Sequence, residues 1–221
     1  MSCIIALCRR NFRISSRISL CMRSCEQNIS IHAGVALSKH SDAYQAGWEA
    51  ATGASEQLQG VKANMCIVFS SASFDQAEVV RGIRDAAGAP VVGCSDAGEI
   101  TNEGPAQKSV AVMAVASDSI SWTVGAVSEG VPDSRERGRQ LAKQIRSASA
   151  APPRLMLIFP DVLSANGMDV VRGATDIMGE HFPVVGGAAG DDFLFEKTYQ
   201  YAIDQAISGS VTGAGLAGAF T

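Results

Sequence analysis

The chain has 221 residues, 47% of them hydrophobic, and a formal net charge of −4 from 22 acidic and 18 basic residues. A charge of this sign does not attract phosphate groups, so we expect no nucleic acid and no anionic membrane as partner of the folded part. No apolar run reaches the roughly 18 residues that a membrane-spanning helix needs, and the longest, such as Val110 to Ala116, has the length of a strand.

Residues 1–28 differ in composition from the rest of the chain. They carry five arginines against one acid, Glu26, and four of the six cysteines. Their apolar start over residues 4–7 is shorter than the ~7 residues of a secretory signal. We interpret the segment as a leader or a disordered tail outside the core. The alternative is a true start at Met22, with the preceding residues wrongly included.

Cysteine spacing argues against a metal site and against disulfides. The tail spacings, C-x4-C and C-x3-C, miss the C-x2-C clip of structural zinc sites. The remaining chain holds only Cys66 and Cys94, too few for a disulfide framework. We therefore expect a reducing, cytoplasmic setting, no metal and no cofactor.

The first elements of the folded part precede any repeat. Residues Ile29 to Leu37 are expected to form an edge strand, and Ser41 to Leu58 a helix. One stripe of this helix is predicted to face the core, and it contains Tyr44, Trp48, Ala51 and Leu58.

An internal duplication is the most informative feature of the sequence. The quartet V-V-R-G at 79–82 recurs at 170–173, and P-V-V-G at 90–93 recurs at 183–186. The offsets are 91 and 93 residues, so the repeats, about 62–129 and 153–221, stay nearly in register.

Each repeat predicts the same elements in the same order. A buried strand, at 65–70 and at 154–159, is followed by an amphipathic helix and by a second strand after a proline. The expected helix caps are Ser73 and Asn166, and the expected helix ends are Gly88 and Gly179.

Alternating segments complete each repeat and predict antiparallel hairpins. The first joins Lys108–Ser117 to Ile120–Glu129, and the second joins Lys197–Ile203 to Ile207–Leu216. A helix at 133–148, with its five basic residues turned to solvent, is expected to link the copies. The predicted fold class is α/β, a duplicated β-α-β-β-hairpin unit that forms mixed sheets flanked by helices.

Glycine-rich turns follow the repeated strands at 93–99 and 186–192. If pseudo-symmetry brings them together, their amides and acids line a cleft suited to a zwitterion such as an amino acid. The alternative is that the glycines only relieve strain and the acids only cap. The candidate ligand-binding residues are Gly93, Cys94, Ser95, Gly98, Glu99, Gly186, Gly187, Gly190 and Asp191.

A hydrolase or transferase with Cys94 or Ser95 as nucleophile is the alternative function. The stretch G-C-S-D-A at 93–97 approaches the G-x-S-x-G elbow, but glycines rather than a helix follow it, and alanine replaces Ser95 in the second repeat. A thiolate at Cys94 would need a base from His32, His40 or His181, and the sequence brings none of them near it.

The stretches P-V-V-G-C-S-D-A-G-E-I at 90–100 and P-V-V-G-G-A-A-G-D at 183–191 resemble the two signatures of the FIST sensory domain family. The resemblance covers about residues 30–221, and these residues are similar to the N-terminal FIST domain. It implies a non-catalytic sensor of small ligands that acts on signalling proteins. Members usually continue into a C-terminal FIST domain, so we expect a truncated chain whose apolar edge at 207–220 promotes self-association.

Overall fold

The computed structural model describes residues 31–102 and 104–218, so the predictions for residues 1–28 lie outside the described residues. The first half contains β1 (Ile31–Ser38), α1 (Ala43–Glu56), β2 (Met65–Ser71), α2 (Gln76–Ala87), β3 (Val91–Asp96), β4 (Glu99–Thr101), β5 (Gly104–Ala106) and β6 (Val110–Ser117). The second contains β7 (Ile120–Val127), α3 (Ser134–Ala148), β8 (Leu155–Pro160), α4 (Gly167–Met178), β9 (Val184–Gly186), β10 (Gln200–Ile203), β11 (Gln205–Ile207) and β12 (Val211–Gly218).

The elements form four layers around two mixed sheets. One sheet has the strand order β1-β6-β2-β3-β10-β11, the other has the order β7-β12-β8-β9, and β4 and β5 form a separate hairpin. Helices α1 and α2 cover the first sheet and α3 and α4 cover the second. Apolar side chains pack between the sheets, where the rings of Phe69 and Phe159 lie 5.8 Å apart. The predicted α/β class, with mixed sheets flanked by helices, is confirmed.

The two halves share one order of elements. The strand order is β1-β6-β2-β3 in the first half and β7-β12-β8-β9 in the second. In each half the final pair of this order, β2 with β3 or β8 with β9, is parallel, and the other two pairs are antiparallel. In both halves a glycine allows the two helices to pack closely. A Cβ at Gly47 on α1 would lie 2.3 Å from the Val79 carbonyl oxygen on α2, and a Cβ at Gly138 on α3 would lie 2.0 Å from the Val170 carbonyl oxygen on α4. The two halves therefore share one strand order and one mode of helix packing.

Both predicted hairpins need correction. Strands β6 and β7 do not pair with each other, because β6 lies between β1 and β2 while β7 pairs with β12 in the other sheet. The second hairpin is limited to β10 and β11, after which β12 crosses into the second sheet. Strand β12 lies between β7 and β8 and is buried over most of its length, so the predicted apolar edge at 207–220 is wrong for residues 211–218.

Several helix predictions are refined by the structure. Helix α3 belongs to the second half and packs on its sheet, and Arg137 is buried, donating to the carbonyls of Glu129 and Val131 rather than facing solvent. On α1 the buried face is made of small residues, and Trp48 is exposed. The predicted caps Asn166, Gly88 and Gly179 are confirmed, but α2 is capped by Asp75 instead of Ser73. None of the described helices is long and apolar enough to cross a membrane.

Candidate functional site

The two glycine-rich loops meet where the repeated strands end. The Ser95 hydroxyl donates to the Gly190 carbonyl oxygen at 2.6 Å, and the Gly190 amide donates to the Ser95 carbonyl oxygen at 2.8 Å. The neighbouring Ala189 amide donates to the Pro160 carbonyl oxygen at 3.0 Å. The structure thus brings together the segments that the duplication pairs, and we call this contact the loop junction, residues 95–99 and 187–192.

A side chain at Gly190 would separate the two loops. Its Cβ would lie 3.2 Å from both the Ala97 nitrogen and the Asp96 Cα. Such a contact is tight and involves backbone, which cannot rotate away as a side chain can. Gly190 is therefore required by the close approach of the loops.

Gly93 and Gly186 instead allow two parallel strands to lie close together. Both have positive φ, +144° and +149°, and a Cβ at either would lie 1.9 Å from a carbonyl oxygen of the adjacent parallel strand, that of Val68 or Ile158. Gly98 also has a positive φ, and its amide donates to Asp96 Oδ1 at 3.3 Å. Gly187 lies half-buried in the loop that follows β9.

The two predicted nucleophiles are enclosed. Cys94 is buried in the apolar layer between the sheets. The Ser95 hydroxyl donates to Gly190 and also accepts from the Tyr199 amide at 2.9 Å. Both side chains therefore hold the scaffold together in this conformation.

Two residues of the junction, Asp96 and Glu99, have buried carboxyl groups. Glu99 accepts a hydrogen bond from the Ser109 hydroxyl, but Glu99 Oε1 and Asp96 Oδ2 are buried without a partner donor among the described residues. The two carboxyls lie close enough for each to influence the pKa of the other, which disfavours the state in which both are charged. Burial and then the charge of Asp96 raise the pKa of Glu99 to about 8. Burial is also the main cause of the raised pKa of Asp96.

The neighbouring aspartates of the second loop have separate roles. The Asp191 carboxylate accepts from the amides of Glu196 and Lys197, at 2.6 and 3.1 Å. Burial alone would raise the pKa of Asp191. The hydrogen bonds from these amides and from the Phe195 amide have a larger combined effect, so the pKa is lowered. Asp191 therefore fixes its own loop, as the capping alternative expects.

Asp192 instead reaches across to the first half of the chain. Its Oδ2 accepts from the Ser71 hydroxyl at 2.6 Å, and its charge contributes to the raised pKa of Asp96. Sequence reasoning missed Asp96 and Asp192 as site residues. Their signal was the position of each in a candidate loop, one directly after Ser95 and the other beside the repeated acid Asp191.

The junction thus gathers negative charge from both halves. Among the described residues no arginine or lysine forms an ion pair with Asp96, Glu99 or Asp192. The described part of the chain has no cluster of His, Cys, Asp or Glu suited to a metal ion. Buried carboxylates without a countercharge are costly, so this arrangement favours protonation or a cationic group from outside.

A cavity of about 490 Å³ lies away from the junction, at the opposite ends of the strands. It opens between the starts of β2, β3 and β7. The two loops touch each other, and Ala97, Gly98 and Gly190 lie half-buried at the surface. The cavity is lined by Asn64, Met65, Pro90, Ile120, Ser121, Trp122, Thr123, Val124, Ala148 and Ile203.

Comparison with known proteins identifies the family. No curated protein matches the sequence. Among solved structures, cyanuric acid hydrolase from A. caulinodans is similar with a TM-score of 0.45 and 10% identity, over 86% of this chain and 72% of that one. The FIST N domain matches residues 64–221. The chain therefore belongs to the FIST N domain family, a family of sensory domains.

Proposed function

We propose that this chain senses a small cationic or zwitterionic molecule, with amino acids as the first candidates, at the loop junction and without chemical turnover. The observation that carries the proposal is the pair Asp96 and Glu99, whose donorless oxygens lie buried where loops from both halves meet. A ligand at this point contacts both halves, so its presence can alter how they are held together.

An ammonium group matches the chemistry of the carboxyl pair. It brings three donors and one positive charge to a pair of carboxyls that has two buried oxygens without a donor. The half-buried backbone at Ala97, Gly98 and Gly190 offers peptide groups for the rest of a zwitterion. The expected exchange is therefore a proton for an ammonium group.

The proposal does not include catalysis, because both candidate nucleophiles make structural contacts. Cys94 packs in the layer between the sheets, and the hydroxyl of Ser95 joins the loops. The proposed setting is the reducing cytoplasm, with a signalling protein as the recipient of the ligand-dependent change.

A thermal-melting screen tests this function. The probes are the twenty standard amino acids and ethylamine, measured at about pH 8.5, which is above the pKa of about 8 for Glu99. We expect a dose-dependent rise in Tm that persists in Cys94→Ala, vanishes in Glu99→Gln and persists in Glu56→Gln, an exposed control on α1. No shift with any probe, or a shift retained in Glu99→Gln, contradicts the proposal. Conversion of a probe that Cys94→Ala abolishes would favour the hydrolase or transferase instead.

A further inference from the structure

The cavity of about 490 Å³ at the opposite ends of the strands is separate from the loop junction. Its walls come from both sheets, since Met65 and Pro90 lie at the start of β2 and just before β3, and residues 120–124 belong to β7. Ligand-binding cavities in proteins have volumes of roughly 300–1,000 Å³. This cavity is therefore large enough for a small molecule that contacts both halves of the chain.

The chemistry of the cavity lining favours an uncharged ligand. None of the described residues that line it has a charged side chain. Most of them are apolar, and the polar ones are Asn64, Ser121 and Thr123. A charged group that entered this site would lose hydration without gaining a countercharge. The lining therefore favours a molecule that is neutral and largely apolar.

One hydrogen-bond donor of the lining lacks an acceptor. The indole Nε1 of Trp122 is buried without a partner among the described residues. Because an unpaired buried N–H group is destabilising, the indole N–H groups of buried tryptophans usually have an acceptor. An acceptor oxygen on a bound molecule would supply the missing partner. The indole ring also offers an apolar face on which a planar ring can stack.

Ile203 lines the cavity from a backbone conformation that isoleucine rarely adopts. Its φ is +60°, and the Asp204 amide donates to the Ala202 carbonyl oxygen at 2.7 Å, which closes a three-residue turn. Such turns are strained, and a β-branched residue at positive φ is an outlier. Core packing does not account for the isoleucine, because its side chain is 53% exposed. Residues held in strained conformations cluster at ligand sites, so a role in the cavity wall accounts for Ile203.

We propose that this cavity is a second binding site, for an uncharged molecule that has a planar ring and a hydrogen-bond acceptor, such as an aryl ketone. The ring packs on the indole of Trp122 and beside Ile203, and its oxygen accepts from Trp122 Nε1. The site differs in chemistry from the loop junction, where the buried groups are carboxyls.

Nuclear magnetic resonance on the ¹⁵N-labelled full chain tests the site. The chain has two tryptophans, so its spectrum holds two indole N–H signals, and Trp48→Phe identifies the signal of Trp122. The probes are acetophenone, ethylbenzene, which lacks the acceptor, and benzoate, which is charged. We expect acetophenone to move the Trp122 proton downfield in a saturable way. Ethylbenzene should bind at least about threefold more weakly, and benzoate at least about tenfold.

Two glycine variants separate the cavity wall from the turn. Ile203→Gly and Gln59→Gly each remove a side chain from a positive φ, +60° and +57°, but Gln59 is exposed and is not a lining residue. Neither change should lower Tm, because glycine adopts positive φ without strain. Ile203→Gly should weaken acetophenone binding at least about threefold, and Gln59→Gly should leave it unchanged.

Three results would overturn the proposal. The first is the absence of a saturable shift of the Trp122 signal with acetophenone. The second is binding of ethylbenzene or benzoate with the affinity of acetophenone, which would show that neither the donor nor the uncharged lining selects the ligand. The third is an Ile203→Gly protein that binds acetophenone like the wild type.

Discussion

The hydroxyl of Ser95 lies 2.6 Å from the carbonyl oxygen of Gly190 and joins the loop after β3 to the loop after β9. The same hydroxyl accepts the Tyr199 amide at 2.9 Å, so one buried side chain holds three segments. The counterpart of Ser95 in the second repeat is Ala188, which has no hydroxyl. The two halves are thus equivalent in topology but not in how their loops are held.

Replacing Ser95 by alanine should weaken this connection. The change leaves the Gly190 carbonyl and the Tyr199 amide without their side-chain partner, which costs about 1–3 kcal/mol of unfolding free energy. Urea unfolding followed by circular dichroism measures the loss. Ser147→Ala on the exposed face of α3, where the hydroxyl bonds only within its helix, should change stability by less than ~0.5 kcal/mol. Equal effects of the two changes would refute the assigned role of Ser95.

Gly190→Ala should separate the loops. The added Cβ would press on backbone atoms of Asp96 and Ala97 at 3.2 Å, so we expect a destabilisation of about 1–3 kcal/mol and a weaker response to any ligand at the junction. Gly130→Ala is the matched control, because the nearest atom to its Cβ would be the Ser128 hydroxyl oxygen at 3.5 Å and its φ is not positive. A Gly190→Ala protein with wild-type stability would show that the loops have room to move apart.

The buried acid pair predicts a pH dependence of stability. The pKa of Glu99 is raised from 4.5 to about 8, so the folded state holds a proton that the unfolded state releases. Stability contributed by the protonated form is therefore complete below about pH 4.5 and is lost as pH rises toward 8 and above. Between pH 5 and 8 we expect a loss on the order of 3 kcal/mol from this group.

Glu99→Gln isolates that contribution. The amide does not titrate, so urea midpoints measured from pH 5 to pH 8.5 should fall less steeply in the variant than in the wild type. Glu56→Gln, a change at an exposed position, should keep the wild-type slope. Parallel slopes in wild type and Glu99→Gln would mean that Glu99 titrates normally.

The sequence predicted the local elements and the meeting of the two loops, but not all the strand pairings. Periodicity and the repeated quartets located β2, β3, β8 and the helices because these signals are local. Alternation in β6 and β7 correctly indicated two strands but led to the wrong pairing, because the two strands lie in different sheets. Adjacency in sequence was therefore a poor guide to pairing.

Side-chain roles in the loops were harder to foresee. Asp191 and Asp192 are neighbours, yet one caps its own loop while the other bonds Ser71 from the other half. The loop contains three non-glycine residues with positive φ, Asp192, Phe193 and Phe195, which no sequence pattern indicated. Arg137 was misjudged for a similar reason, since its position in a charged helix gave no sign of the carbonyls it reaches.

The most direct test is a calorimetric titration of the wild type with ethylammonium chloride and with glycine, at about pH 8.5 and about pH 6. Because the cation must displace the proton that Glu99 holds below its pKa of about 8, affinity should fall about tenfold for each pH unit below that value, and binding should be lost in Glu99→Gln at both values. Equal affinity at the two pH values, binding that survives in Glu99→Gln, or no binding of either probe would contradict a cation site at the junction.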